Sequence, residues 1–172
     1  MISLSVIIVN YNVKYFLEQA IRACLLACKE IDAEIIVVDN QSQDGSVEHM
    51  QQKFGNGTPE TPLHIIANTI NTGFSKANNQ GIALAKGKYI LLLNPDTVVA
   101  EDTFRKCIAY MDAHPNCGGL GVRMLDGTGN FLPESKRAFP SPEVAFYKAF
   151  GLANAFPRSR VFGKYHLGYL DE

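Results

Sequence analysis

Neither sign of charge predominates in this chain. Sixteen Lys and Arg stand against seventeen Asp and Glu, a formal net charge of −1 over 172 residues. No global field therefore draws it to nucleic acid or to an anionic membrane. A long hydrophobic run is also absent: the first apolar stretch ends at Val9, far short of a bilayer span. Met1-Ile2-Ser3-Leu4-Ser5-Val6 carries no basic leader and no small-residue cleavage site, and it is not read as a signal peptide. Cysteine is sparse. Cys24, Cys28, Cys107 and Cys117 lack the spacing of a zinc site and read as buried free thiols, suited to a reducing cytoplasm. His49, His64, His114 and His166 show no metal spacing either and read as structural. No internal repeat is evident. What remains is a composition 47% hydrophobic, enough to fill the core of one compact domain.

The elements alternate. Leu4 to Val9 is apolar almost throughout, as in a strand buried on both faces. Val13, Phe16, Leu17, Ala20, Ile21, Cys24, Leu25 and Cys28 then form one stripe of an amphipathic helix, with Asn12 as its expected cap. Strands are predicted at Glu34 to Val38, Leu63 to Ala67 and Tyr89 to Leu93. Between them lie a short helix carrying Val47, Met50 and Phe54, and a helix from about Ser75 to Ala85 closed by Gly87. Glu101 to His114 reads as a further helix, Cys117 to Met124 as a strand and Asp126-Gly127 as a turn. Strands and helices alternating at these lengths predict an α/β fold, a doubly wound and mostly parallel sheet flanked by helices. Residues 1–132 form the expected α/β domain. Residues 133–172, broken by prolines and rich in aromatic and basic side chains, read as a partly helical extension.

Ligands of such sheets bind beyond the carboxyl ends of the strands. The stretches there are Asn10-Tyr11, Asp39-Asn40, Asn68 to Phe74 and Asn94-Pro95-Asp96, all polar. A dehydrogenase would want Gly-x-Gly-x-x-Gly after the first strand, where this chain has Asn10-Tyr11-Asn12. The glycine-rich basic loop of a sugar nucleotidyltransferase is missing from the same place.

Val6-Ile7-Ile8-Val9-Asn10-Tyr11-Asn12 resembles the opening strand of family 2 glycosyltransferases. Ile35 to Ser46, with Asp39-Asn40-Gln41-Ser42-Gln43-Asp44-Gly45-Ser46, is similar to their second strand and its turn. Asn71-Thr72-Gly73-Phe74 through Asn78-Asn79 resembles a segment of the rhamnosyl- and galactofuranosyl-transferring branch. Leu92-Leu93-Asn94-Pro95-Asp96-Thr97 resembles that branch's form of the Asp-x-Asp metal motif, with Asn94 at its first acidic position. The four motifs come in order over roughly residues 4 to 125.

The resemblance implies the nucleotide-sugar-binding half of an inverting enzyme of the GT-A fold. It places nucleotide contacts at Val9, Asn10, Tyr11, Asp39, Gly73, Lys76 and Asn94, and a Mg²⁺ or Mn²⁺ ligand at Asp96. Chemistry supports the transfer. An aromatic face after the first strand stacks on a base, worth about 1–3 kcal/mol; a packed loop tyrosine is the other reading of Tyr11. A carboxylate only accepts hydrogen bonds, so Asp39 facing a base edge would favour the N–H that uracil, thymine and guanine have and cytosine lacks. A helix cap or surface carboxylate is the alternative. Gly73 would let backbone approach a ligand closely. Lys76 reads equally as a phosphate or ribose contact and as a solvated lysine. Asp44 or Ser46 would cap the helix that follows them. A hard cation needs oxygen ligands and often takes one or two carboxylates plus phosphate, which Asp96 would serve, unless it caps the next helix instead.

Donors of this kind are UDP- or dTDP-sugars, and acceptors are glycans or lipid-linked glycans. No nucleic-acid partner is expected. The expected location is cytoplasmic; a homo-oligomer, peripheral membrane association of the full-length protein and a place at the inner face of the membrane stay open. The family's base lies in its second half, and no matching acidic motif precedes Asp171 and Glu172, so the base is expected beyond Glu172. A non-catalytic nucleotide-binding fragment is the rival reading. Apolar surface is expected around Phe139 to Tyr169, lying on the sheet, on a second copy or in disorder.

Overall fold

Residues 1–132, 135, 138–139 and 141–169 are described by the computed structural model. Pro133, Glu134, Lys136, Arg137, Pro140, Leu170, Asp171 and Glu172 lie outside the described residues, and with them the proline breaks at 133 and 140, two of the tail's basic residues and the terminal carboxylates. The chain divides into two compact units, Met1–Cys117 and Gly118–Glu172.

The first unit runs β1 (Leu4–Asn10), α1 (Lys14–Ala27), β2 (Ala33–Asp39), α2 (Ser46–Phe54), β3 (Leu63–Ala67), α3 (Phe74–Leu84), β4 (Tyr89–Leu93) and α4 (Thr103–Ala113). The strands pair in parallel in the order β3-β2-β1-β4. Every residue of β1 and β2 is buried, because alternate side chains enter two different cores. Leu4, Val6, Ile8, Ile35 and Val37 meet Leu17, Ile21 and Cys24 of α1, Met50 of α2 and Phe104 of α4. Ile7, Val9, Ile36 and Val38 pack on the other face with Ala77 of α3. The expected doubly wound sheet is therefore observed. β4 is less buried than β1 and β2. Tyr89, Leu91 and Leu93 pack on the first core, but Ile90 and Leu92 stay 46% and 50% exposed. Among the described residues β4 is an outer strand, and α3 covers the β1–β2 part of that face.

Three local expectations need correction. Asn12 does not cap α1: it has φ 55, the N-cap position is Val13, and no side chain there caps the helix. The Lys14 amide instead donates to Asp44 Oδ2 at 2.9 Å, from thirty residues downstream. Gly87 does not end α3, whose C-cap is Ala85. It lies against the start of β1, where a Cβ would meet the Ser5 nitrogen at 2.5 Å. Cys117 to Met124 is not a strand; residues 118–124 pair with no described strand, and only an isolated bridge joins Leu125 to Phe131. A run carrying Gly118, Gly119 and Gly121 has little to hold it extended without a neighbouring ladder. The turn beyond it does form, with Asp126 Oδ1 accepting from the amides of Thr128 and Asn130.

In the second unit, α5 (Pro142–Ala149) is capped by Ser141, whose Oγ accepts from the Val144 amide at 3.3 Å. α6 (Leu152–Ala155) and a 3-10 turn at Phe162–Tyr165 follow. Tyr147 and Phe156 both pack on Phe162. All four cysteines are free, but only Cys24 and Cys28 are buried. Burial pushes the Cys28 thiol up to about 12 and raises that of Cys24 further, so neither is a reactive thiolate.

α1 and α2 are joined by Glu18. Its Oε2 pairs with His49 Nε2 at 2.5 Å, and its Oε1 accepts from Arg22 Nε and Nη2 at 3.0 and 2.8 Å. The His49 and Arg22 hydrogen bonds hold the Glu18 carboxyl down at about 2, against an ordinary 4.5. A depressed folded-state value stabilises the native state above the unfolded-state value and is lost as pH falls through the folded one. Thermal stability should therefore decline between pH 4.5 and about 2. Glu18→Gln should flatten that decline in melting curves, and an identical pH profile in the variant would refute the assignment.

Candidate functional site

A parallel sheet brings all four strand ends to one edge. The chain steps outward from β1 to β2 to β3, then returns to β4 on the other side of β1. The crevice of such a sheet opens where the order reverses, here between β1 and β4. Asn10-Tyr11 and Asn94-Pro95-Asp96 flank it, and Asp39 ends the neighbouring strand in register with Asn10.

Asn10 is 0% exposed and Asp39 is 3% exposed. Asn10 Nδ2 donates to Asp39 Oδ1 at 2.7 Å and to Ser42 Oγ at 3.0 Å. The Ser42 amide donates to Asp39 Oδ2 at 2.8 Å. Both carboxylate oxygens are thus held, each with one lone-pair direction left over. Val9 is buried in the second core, so its side chain serves packing and only its backbone faces the strand end. Tyr11 is 51% exposed, a ring available for stacking. It stands between buried Asn10 and Asn12, and Asn12 is locked to the next loop: its amide donates to Ser42 Oγ at 2.9 Å and its Oδ1 accepts from the Gln43 amide at 2.7 Å. Asn12 and Gln41 both have positive φ, at 55° and 71°. Local strain of this kind is held in place by surrounding bonds and gathers at functional sites.

Asp44 anchors the far side of that loop. Besides the Lys14 amide, it accepts from the Ser46 hydroxyl at 2.5 Å and the Ser46 amide at 3.1 Å. Desolvation raises its carboxyl, but these bonds outweigh it and the net shift is downward. Asp44 therefore serves the starts of α1 and α2 together, where the sequence pointed to the second alone.

Asn40 was not singled out by residue type, yet it ties the end of β2 to the loop after β3. Its Nδ2 donates to Asn71 Oδ1 at 2.8 Å, and its Oδ1 accepts from the Thr72 amide at 2.9 Å and from Asn68 Nδ2 at 3.3 Å. Asn71 Oδ1 in turn accepts from the Gly73 amide at 2.9 Å. Gly73 has φ 82 and ψ 162, a conformation open essentially to glycine alone, and it launches α3 with no side-chain cap. Lys76 is exposed on the first turn with no side-chain partner among the described residues. Asn78 is buried and donates to the Phe74 carbonyl, which makes it part of the helix.

At the end of β4, the Asn94 carbonyl accepts from the Thr97 amide at 3.2 Å, closing a turn around Pro95. Asn94 and Asp96 are exposed, and no hydrogen bond or ion pair occupies the Asp96 side chain among the described residues. Asp96 is not the N-cap of α4; that position is Asp102. A carboxylate fixed by a turn, exposed and unpaired, fits a hard cation that draws its remaining ligands from phosphate and water. Among the described residues no cluster of three or more acidic, His or Cys side chains forms an all-protein metal cage.

The sequence profile of glycosyl transferase family 2 matches residues 5–167. The chain belongs to glycosyl transferase family 2. It is 33% identical over 116 residues to the minor teichoic acid biosynthesis protein GgaB of Bacillus subtilis, covering 65% of this chain and 12% of that protein. It is 29% identical over 169 residues to the succinoglycan biosynthesis protein ExoO of Rhizobium meliloti, covering 95% of this chain and 45% of that one. This family 2 chain thus spans less than half the length of either relative. The fold is that of GT-A glycosyltransferases. TarS of Staphylococcus aureus, residues 1–349 in complex with UDP, superposes with a TM-score of 0.57 at 22% identity, over 73% of this chain and 40% of that one. A mannosyltransferase from Pyrobaculum calidifontis in complex with GDP-Man and Mn²⁺ gives 0.59 at 20% identity, over 70% and 35% of the two chains.

Proposed function

We propose that this family 2 chain is the donor-binding part of an inverting glycosyltransferase. It transfers a sugar from a UDP- or dTDP-sugar to a hydroxyl of a glycan or lipid-linked glycan, with help from Mg²⁺ or Mn²⁺. The convergence of exposed Tyr11, the held carboxylate of Asp39 and unpaired Asp96 around one crevice carries this reading. The motif from Asn71 to Asn79 and Asn94 in place of an acid favour the rhamnosyl- and galactofuranosyl-transferring branch. Residues 1–132 hold the donor, and residues 133–172 extend toward the acceptor part. The reaction belongs at the cytoplasmic face of a membrane, where lipid-linked acceptors are presented.

In the transfer the acceptor oxygen bonds to the anomeric carbon as the bond to the diphosphate breaks, and the diphosphate leaves with the electron pair. The acceptor proton passes to a carboxylate base. Tyr11 stacks on the base and Asp39 accepts from the nucleoside. Gly73 and Lys76 face the ribose and phosphates. Asn94 meets the nucleotide, and Asp96 would hold the cation, which would neutralise charge on the departing diphosphate.

Calorimetry tests the reading. UDP or dTDP should bind, and CDP should bind more weakly, because a carboxylate meets an N–H in uracil and thymine but a lone pair in cytosine. Asp39→Ala should narrow the UDP-to-CDP gap. An unchanged ratio would remove Asp39 from base selection, and no binding of any nucleotide would end the reading.

A further inference from the structure

The Ser42 hydroxyl has a proton with no acceptor among the described residues. A hydroxyl offers two acceptor lone pairs and one donor hydrogen. Two groups reach Ser42 Oγ: Asn10 Nδ2 at 3.0 Å and the Asn12 amide at 2.9 Å. Both are obligate donors. The amide N–H of Asn12 has no other role. The Asn10 side chain cannot be turned round, because its other end would then set a carbonyl oxygen against the acceptor-only carboxylate of Asp39, 2.7 Å away. Both lone pairs of Ser42 are therefore used, and its hydrogen must point at a third group. No acceptor for it exists among the described residues. Ser42 is only partly buried, as a residue that meets a ligand must be.

We propose that Ser42 is a further donor-binding residue, giving its hydroxyl proton to an oxygen of the nucleoside next to the N–H or O–H that Asp39 accepts. This rests on the nucleotide-binding reading above. Asp39 and Ser42 are bonded to one another through the Ser42 amide, so they present an acceptor and a donor side by side on one rigid turn. Such a pair is complementary to a group that donates and accepts at neighbouring atoms. A uracil or thymine edge has that pattern, an N–H beside the 4-carbonyl, and so does a ribose diol. Cytosine inverts it, with a bare nitrogen beside an amino group. The turn that places the pair also fixes Asn12, and so the approach of Tyr11.

The test is titration of wild type, Ser42→Ala and Ser42→Thr with UDP, CDP and 2′,3′-dideoxy-UDP. Ser42→Ala should weaken UDP binding about five- to tenfold, the size of one lost hydrogen bond. If the base supplies the oxygen, dideoxy-UDP should weaken equally and CDP should not. If the ribose supplies it, CDP should weaken equally and dideoxy-UDP should not. Ser42→Thr keeps the hydroxyl and should retain the wild-type pattern, which guards against a general loosening of the turn. Equal weakening of all three ligands, or of none, would overturn the proposal while leaving nucleotide binding intact. A wild-type protein that binds no nucleotide would overturn both.

Discussion

Asp96→Ala is expected to remove the metal-dependent gain in nucleotide affinity and leave the metal-free affinity nearly unchanged. The carboxylate is exposed, follows the outer strand β4, and is held by the turn that the Thr97 amide makes with the Asn94 carbonyl. It has no competing partner among the described residues, so nothing need be broken for it to ligate a cation. With Asn94 where the Asp-x-Asp motif has its first acid, Asp96 is the single charged ligand at this position. Removing it leaves the cation held by phosphate oxygens and water, which bind it in free solution as well. The wild-type chain should gain about tenfold or more in UDP affinity on adding Mn²⁺, a difference of about 1.4 kcal/mol. The variant should show the same affinity in Mn²⁺ as in EDTA. A wild type indifferent to EDTA would remove the metal role from Asp96.

The second large effect concerns stability at the opposite edge of the sheet. Glu34 is 1% exposed, and its Oε1 accepts from the Ser5 hydroxyl and the Lys86 amide, each at 2.7 Å. The Ser5 oxygen in turn accepts from the Gly87 amide at 2.8 Å, and His64 Nε2 stands 3.8 Å from Glu34 Oε2. One carboxylate thus fastens β2 to β1 and to the loop that brings the chain from α3 into β4. Glu34→Ala strands the buried Ser5 hydroxyl and the Lys86 amide and opens a cavity beside them. Leaving a buried donor unpaired costs about 1–3 kcal/mol. Urea unfolding should show that loss, with Glu34→Gln milder because its carbonyl can still accept. A loss under about 1 kcal/mol for Glu34→Ala would mean that water replaces the carboxylate and the network is incidental.

The network at the strand ends was only half legible in the residues. Asp39 and Asp96 stood out because an acid directly after an apolar strand is conspicuous. Asn40 and Ser42 did not, because a single asparagine or serine in a polar loop looks like any other. Their importance comes from partners about thirty positions away, on Asn68 to Asn71 and on Asn10 and Asn12. Asn12 illustrates the same limit from the other side. By residue type it is a helix cap, but its side chain turns to the Gln43 amide, and Asp44 takes over at Lys14. Local propensity favours the nearest amide, and tertiary packing overrode it.

The sequence by itself determined that this is an α/β chain with its strands in parallel, where each runs, and which family it belongs to. Those properties depend on short-range signals: apolar runs buried on two faces, helical stripes, and motifs of a few adjacent residues. It did not determine that β4 is an outer strand among the described residues, with Ile90 and Leu92 exposed, or that residues 118–124 form no strand. Burial of a face and pairing of a strand depend on what the rest of the chain places beside them. The chemistry of the site divides the same way. Residue type named the acceptor Asp39, but only the tertiary structure showed that Asn10 and Ser42 hold it. That structure alone showed two donors converging on the Ser42 hydroxyl, because the direction of a hydrogen bond is settled by the groups that meet at it.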